Sequence, residues 1–141
     1  MSALKEAGTK RIVVVDDDRT ISTAVRELLT PDGFAVDCPT DPKTALVDTI
    51  REAPDLVILD VNMPGMTGWE FCAIMRRQSV TREIPVLFLT GRSEVKDRIT
   101  AMQLGGSDFL AKPFGAQELR NKVRSLLRHS EPEPEPATEE E

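Results

Sequence analysis

Short apolar runs alternate along this chain with longer amphipathic stretches. Ile12-Val13-Val14-Val15, Leu56-Val57-Ile58-Leu59 and Val86-Leu87-Phe88-Leu89 are uninterrupted, and each is bounded by polar or turn-forming residues. Such runs predict strands buried on both faces. Phe34 to Cys38 and Ser107 to Ala111 predict two shorter strands. Between them the apolar spacing changes to that of a helix. Ile21, Ala24, Val25, Leu28 and Leu29 mark the first helix, which Pro31-Asp32-Gly33 breaks. A second is predicted over 42–52, with Ala45, Leu46, Thr49 and Ile50 on one side and Asp41 capping ahead of Pro42. The third follows a loop flanked by Gly65 and Gly68 and covers Trp69 to Arg77. The fourth runs from about Glu94 to Leu104, with Val95, Ile99 and Met102 in register, and Gly105-Gly106 closes it. The last, about 116–128, places Leu119, Val123, Leu126 and Leu127 on one face.

Strands alternating with helices predict an α/β domain, and doubly buried strands predict a parallel sheet covered on each side. Right-handed crossovers then make the fold doubly wound. In a parallel sheet the carboxyl ends of all strands share one edge, where open α/β sheets keep their chemistry. Here that edge receives Asp16 and Asp17 from the first strand, Asp60 from the third, Thr90 from the fourth and Lys112 from the fifth. Each alone has a plainer reading, since Asp60 could simply open a turn and Asp16-Asp17-Asp18 could be a solvated one. Together they are a chemical set. Like carboxylates disfavour one another's charge, and an all-oxygen group of acids suits a hard divalent cation such as Mg²⁺, with Mn²⁺ as the alternative. A lysine point charge and a threonine hydroxyl suit phosphate oxygens. The combination describes a site for a phosphoryl group carried with a metal.

Composition narrows the picture further. The chain is 141 residues, 40% hydrophobic and 30% charged, which fits one globular domain. Residues 1–10 are a polar leader with no secretory pattern, and no apolar run is long enough to span a membrane. Two cysteines, Cys38 and Cys72, have no metal-type spacing and are expected as small apolar fillers in a cytoplasmic protein. The net charge of −6 belongs to the end of the chain, where residues 131–141 hold six acids and no base. The rest is neutral, so no basic field for nucleic acid exists. That Glu/Pro tail, taken from residue 130, is expected to be disordered and extended.

The acid pair after the first strand, Asp-x-x-Met-Pro-Gly-x-x-Gly from Asp60, Thr90 after the fourth strand and Lys112-Pro113 after the fifth resemble the motifs of response regulator receiver domains. The resemblance covers about residues 11–128, and the domain is taken as 11–129. It implies a flavodoxin-like (βα)5 three-layer sandwich with sheet order 2-1-3-4-5. It further implies that Asp60 is the phospho-accepting nucleophile, and that Asp16, Asp17, Asp60 and the backbone carbonyl of Asn62 hold Mg²⁺. Asp17 matches the more direct ligand, whereas Asp16 tends to act through water and Asp18 starts the helix. Lys112 pairs with the acyl phosphate, and Thr90 and Phe109 form the switch, although Phe109 also suits a plain core aromatic. Asn62, Gly91 and Arg92 tune the lifetime of the phosphate; Gly91 leaves room for it, and Arg92 either screens or contacts it. Pro64 and Gly68 shape the loop, and Lys112-Pro113 is commonly cis in the family. Trp69 and His129 receive no role.

By the same resemblance the phosphodonor is a histidine kinase or a histidine phosphotransfer protein. Catalysis is confined to autophosphorylation and self-dephosphorylation. The output is a changed surface over the fourth helix, fifth strand and fifth helix, residues 94–128, read by a protein partner or by a second copy on activation. Three settings are compatible with this: a stand-alone receiver, a receiver excised from a DNA-binding regulator, hybrid kinase or cyclase, and a receiver that binds partners without phosphate control.

Overall fold

A computed structural model describes residues 8–91 and 95–130. The first seven residues of the leader, Arg92, the expected helix start at Glu94 and the tail over 131–141 lie outside the described residues, as do the side chains of Val95 and His129.

Five strands alternate with five helices: β1 (Arg11–Val15), α1 (Arg19–Leu29), β2 (Ala35–Asp37), α2 (Pro42–Glu52), β3 (Leu56–Asp60), α3 (Gly68–Arg77), β4 (Val86–Thr90), α4 (Val95–Gln103), β5 (Asp108–Ala111) and α5 (Ala116–Ser130). Local chemistry sets most of the boundaries. Asp18 starts α1 by accepting the Thr20 N–H at 2.9 Å. Asp41 starts α2 by accepting from the Thr44 N–H and hydroxyl, with Pro42 in the first turn. Thr67 and Glu70 form a reciprocal capping box at the head of α3. A short 3-10 turn, Thr30–Asp32, ends at Gly33 in the left-handed region, φ 97°.

All pairings are parallel, in the order β2-β1-β3-β4-β5. Because side chains alternate across a strand, the three central strands feed two cores. Val13, Val15, Val57, Leu59, Val86 and Phe88 pack with Phe71, Cys72 and Met75 of α3 on one face. Ile12, Val14, Leu56, Ile58, Leu87 and Leu89 pack with Val25 and Leu29 of α1 and with Leu119 and Val123 of α5 on the other. β3 and β4 are buried along their whole length, as apolar runs of that kind require. Cys72 is buried, whereas Cys38 is only half-buried and donates weakly to the Ser22 carbonyl.

α4 departs from the expected register. Ile99 and Met102 are 49% and 51% exposed, and among the described side chains of α4 Ala101 is the one turned into the core. At about 100° per residue, Ile99 and Met102 stand roughly 160° and 100° away from Ala101 around the helix. The reason lies at the C-terminal end. The Gly106 N–H donates to Ala101 and the Gly105 N–H to Met102, at 2.8 and 3.2 Å, with Gly105 at φ 92°. This Schellman closure fixes which face meets the sheet. Arg76 of α3 locks it by donating from Nε and Nη2 to the Gly105 carbonyl and from Nη1 to those of Thr81, Arg82 and Ile84. Gly106 has a second purpose, because a Cβ there would lie 2.5 Å from the Phe88 ring.

Candidate functional site

The carboxyl ends of β1, β3, β4 and β5 deliver the expected side chains to one edge. Asp60 is the last residue of β3, and its position is fixed from behind. Gly68 opens α3 against the Asp60 backbone, where a Cβ would sit 2.3 Å from the Asp60 carbonyl oxygen. The Gly68 N–H donates to the Val61 carbonyl at 2.8 Å, and the Val61 N–H to Leu89 at 3.0 Å. Thr90 ends β4, and its carbonyl accepts the Lys112 N–H at 2.7 Å, so the fourth and fifth strand ends are tied together. The Lys112–Pro113 peptide is cis.

One carboxylate oxygen from each of Asp16, Asp17 and Asp60 lies within 4.8 Å of the others. The Lys112 ammonium stands 3.0 Å from Asp16 Oδ2 and 3.3 Å from Asp60 Oδ1. Asp16 and Asp60 are only 4% and 5% exposed, whereas Asp17 faces solvent. Asp16 Oδ1 accepts the Asp18 N–H at 2.8 Å. Its Oδ2 is fully buried, and its contact with Lys112 is a charge contact without hydrogen-bond alignment. Burial first, and then the neighbouring Asp16 carboxylate, push the Asp60 carboxyl up to about 6 against the opposing pull of Lys112 and the Asn62 N–H. At Lys112 burial works against the ammonium, but the charge of Asp16, joined by the charge and hydrogen bond of Asp60, outweighs it and raises its pKa.

The donor set fits a hard divalent cation. Oxygens opposite each other around Mg²⁺ are about 4.2 Å apart, twice a metal–oxygen distance of roughly 2.1 Å. Adjacent oxygens are closer, about 3.0 Å, so three acids within 4.8 Å could share one ion once they draw together around it. The buried, unaligned Oδ2 of Asp16 and the crowding that raises Asp60 are both relieved by a positive charge there.

The other expected residues are placed less tightly. Thr90 is buried at the strand end, while Asn62, Pro64, Gly91 and Pro113 are exposed beside the cluster. A Cβ at Gly91 would meet nothing within 4 Å, so there is open space at that point. Phe109 is half-buried, against the core on the α4 side. Two features escape a reading of the sequence. Trp69 packs on Phe88 with ring centroids 4.7 Å apart, and Arg98 of α4 lies 4.8 Å from the centroid of Phe109. Trp69 sits one residue after the Gly68 that abuts Asp60, which was the available signal; an arginine on an exposed helix face carries none.

The response regulator receiver domain family matches residues 12–124. The chain is 39% identical over 133 residues to the alkaline phosphatase synthesis transcriptional regulatory protein SphR of Synechococcus elongatus, covering 88% of this chain and 51% of that protein. It is 38% identical over 123 residues to the response regulator MprA of Mycobacterium leprae, covering 87% and 53%. It thus spans about half the length of these curated relatives. Among solved structures, the Vibrio cholerae chemotaxis protein CheY4 superposes with a TM-score of 0.80 at 30% identity, over 84% of this chain and 99% of that one. The receiver domain of Francisella response regulator 1452 does so with a TM-score of 0.81 at 26% identity, over 87% and 100%. Acid cluster, lysine and sheet order coincide with a family match over most of its length: the chain belongs to the CheY-like response regulator receiver domains of two-component signalling.

Proposed function

We propose that Asp60 accepts a phosphoryl group from a phosphohistidine on a histidine kinase or histidine phosphotransfer protein, and that the modified domain controls a partner through α4, β5 and α5. The observation that carries this reading is the convergence of three carboxylates within 4.8 Å around a lysine 3.0 and 3.3 Å from two of them. In the transfer an Asp60 carboxylate oxygen forms an O–P bond as the N–P bond of the phosphohistidine breaks, and the electron pair leaves with the imidazole nitrogen. A carboxylate is a weak nucleophile, so the rate depends on neutralising charge on the transferred group. Mg²⁺ bound by Asp16, Asp17, Asp60 and the Asn62 carbonyl would supply most of that neutralisation. Lys112 holds a phosphoryl oxygen with the charge it now places between Asp16 and Asp60. The Thr90 hydroxyl donates to another such oxygen when the switch closes, with Phe109 turning inward beside it. The open space at Gly91 admits the phosphoryl group, and Asn62 and Arg92 govern how readily water follows.

Acetyl phosphate with Mg²⁺ tests this by mass spectrometry of the intact protein. The expected outcome is one acid-labile phosphoryl adduct, absent in Asp60→Asn and without Mg²⁺. An unmodified wild-type protein, or an adduct surviving in Asp60→Asn, overturns the reading.

A second reading concerns the setting. The relatives matched are about twice as long, and one is named a transcriptional regulatory protein. This supports a receiver that works as one half of a DNA-binding regulator, against a stand-alone signal carrier. The reading frame of the encoding gene decides between them.

A further inference from the structure

The half-buried ring of Phe109 is held from two sides. On the inside it packs against the core that contains Phe88 and Ala101, and Phe88 is its register partner on β4. Phe88 in turn packs against Trp69, so a row of aromatic side chains runs from the head of α3 to β5. On the outside Arg98 sets its guanidinium carbon 4.8 Å from the ring centroid. Phenylalanine has no hydroxyl, so no hydrogen bond can orient this ring. The cation–π contact with Arg98 is the directional interaction that distinguishes its present position from any other of equal packing.

Arg98 is well founded for such a task. α4 is fixed at its C-terminal end by the Gly105–Gly106 closure and by Arg76, and Ala101 is its buried residue among the described side chains. Arg98 lies three residues before Ala101, one turn nearer the strand end that carries Thr90. It therefore joins α4 to β5 at a point one turn before the closure.

We propose that Arg98 is a positioning residue of the switch: it latches Phe109 in the position seen here, and the ring must leave the guanidinium before it turns inward. This rests on the phosphorylation reading above, because it assigns Arg98 the role of opposing activation. A contact of this kind at an exposed site shifts a two-state equilibrium by roughly two- to five-fold.

The test is a double-mutant cycle with Arg98→Ala and Phe109→Leu, with Arg98→Lys as the conservative variant. Two quantities are read: the apparent affinity for beryllofluoride with Mg²⁺, followed by fluorescence of Trp69, the sole tryptophan, and the NMR ring shifts of Phe109 without any phosphate analogue. Arg98→Ala is expected to bind beryllofluoride roughly two- to five-fold more tightly, with Arg98→Lys between it and wild type. In the Phe109→Leu background Arg98→Ala should change nothing. The Phe109 ring shifts should move in Arg98→Ala while the thermal midpoint stays near wild type. Unchanged affinity and unchanged ring shifts overturn the latch, as does an equal gain with and without Phe109. Should wild type bind no beryllofluoride, the phosphorylation reading fails and with it the opposing role, whereas a ring shift in Arg98→Ala would show the contact itself in solution.

Discussion

Asp60 is held in a position that costs stability when it is charged. Its pKa is raised to about 6 by burial and by Asp16, above an ordinary aspartate near 3.8. Between these values the folded protein binds more protons at this site than the unfolded chain does. Asp60 therefore lowers stability as pH rises from about 4 to 6, and the whole penalty is present above that. Asp60→Asn removes the charge without removing the shape. In chelator at pH 7.5 the variant should be more stable than wild type by about 1–3 kcal/mol in urea unfolding. The gap should close on titration to pH 4; a gap that widens toward acid would contradict the assignment. Gly68 operates by a different principle at the same place. Its missing Cβ lets α3 abut the Asp60 carbonyl at a distance where a methyl group would lie 2.3 Å away from backbone oxygen. Backbone cannot swing aside as a flexible side chain does. Gly68→Ala should therefore cost about 1–3 kcal/mol in stability and, on the proposed function, slow phosphorylation by acetyl phosphate, because the Asp60 carboxylate is displaced.

At the level of elements, legibility followed how much of each boundary is local. Asp18, Asp41 and Pro42 announce helix starts because capping uses atoms within a few residues, and the structure places those caps where their side chains indicate. β3 and β4 were equally plain, since a short uninterrupted apolar run between turn signals marks a strand buried on both faces. α4 was not. Its apolar residues Ile99 and Met102 suggest an inward face, but the face is chosen by Ala101, by the closure at Gly105–Gly106 and by Arg76 from another helix. None of that shows in the spacing of a nine-residue helix with few large apolar residues. Arg76 is thus the residue on which α4 depends. Arg76→Ala leaves the carbonyls of Gly105, Thr81, Arg82 and Ile84 without the guanidinium and should cost about 2–3 kcal/mol. Hydrogen exchange should accelerate most at residues 101–106. Arg76→Lys should recover only part of the loss, because a point charge cannot span both groups of carbonyls. Uniform acceleration across the sheet would instead indicate general destabilisation.

On the scale of the whole molecule, the site was legible because parallel topology converts residues distant in sequence into neighbours. Asp16, Asp60, Thr90 and Lys112 needed only the assumption of one sheet edge to be brought together. What topology could not supply was the pairing within the cluster. Lys112 stands 3.0 Å from Asp16 Oδ2 and 3.3 Å from Asp60 Oδ1, and its hydrogen bond is to Asp60. The pairing leads to a prediction about metal. A cation that binds the folded cluster and not the unfolded chain raises stability by mass action. Mg²⁺ should therefore raise the unfolding midpoint at pH 7.5, and Asp17→Asn, which removes the solvent-facing carboxylate of the cluster, should abolish most of the rise. Protons compete for the same oxygens, since a carboxylate must be ionised to bind. With Asp60 titrating at about 6, the apparent Mg²⁺ affinity should hold steady above pH 7 and weaken roughly ten-fold by pH 5. Lys112→Met changes the balance in a defined direction. Without the ammonium, Asp16 and Asp60 repel each other unopposed, so the protein alone should lose stability at pH 7.5. The same repulsion makes the cluster a stronger trap for a divalent cation. Mg²⁺ should accordingly stabilise Lys112→Met more than wild type, even as phosphorylation falls for want of the lysine. Equal metal stabilisation in the two proteins would mean that Lys112 and the cation do not share the same carboxylates.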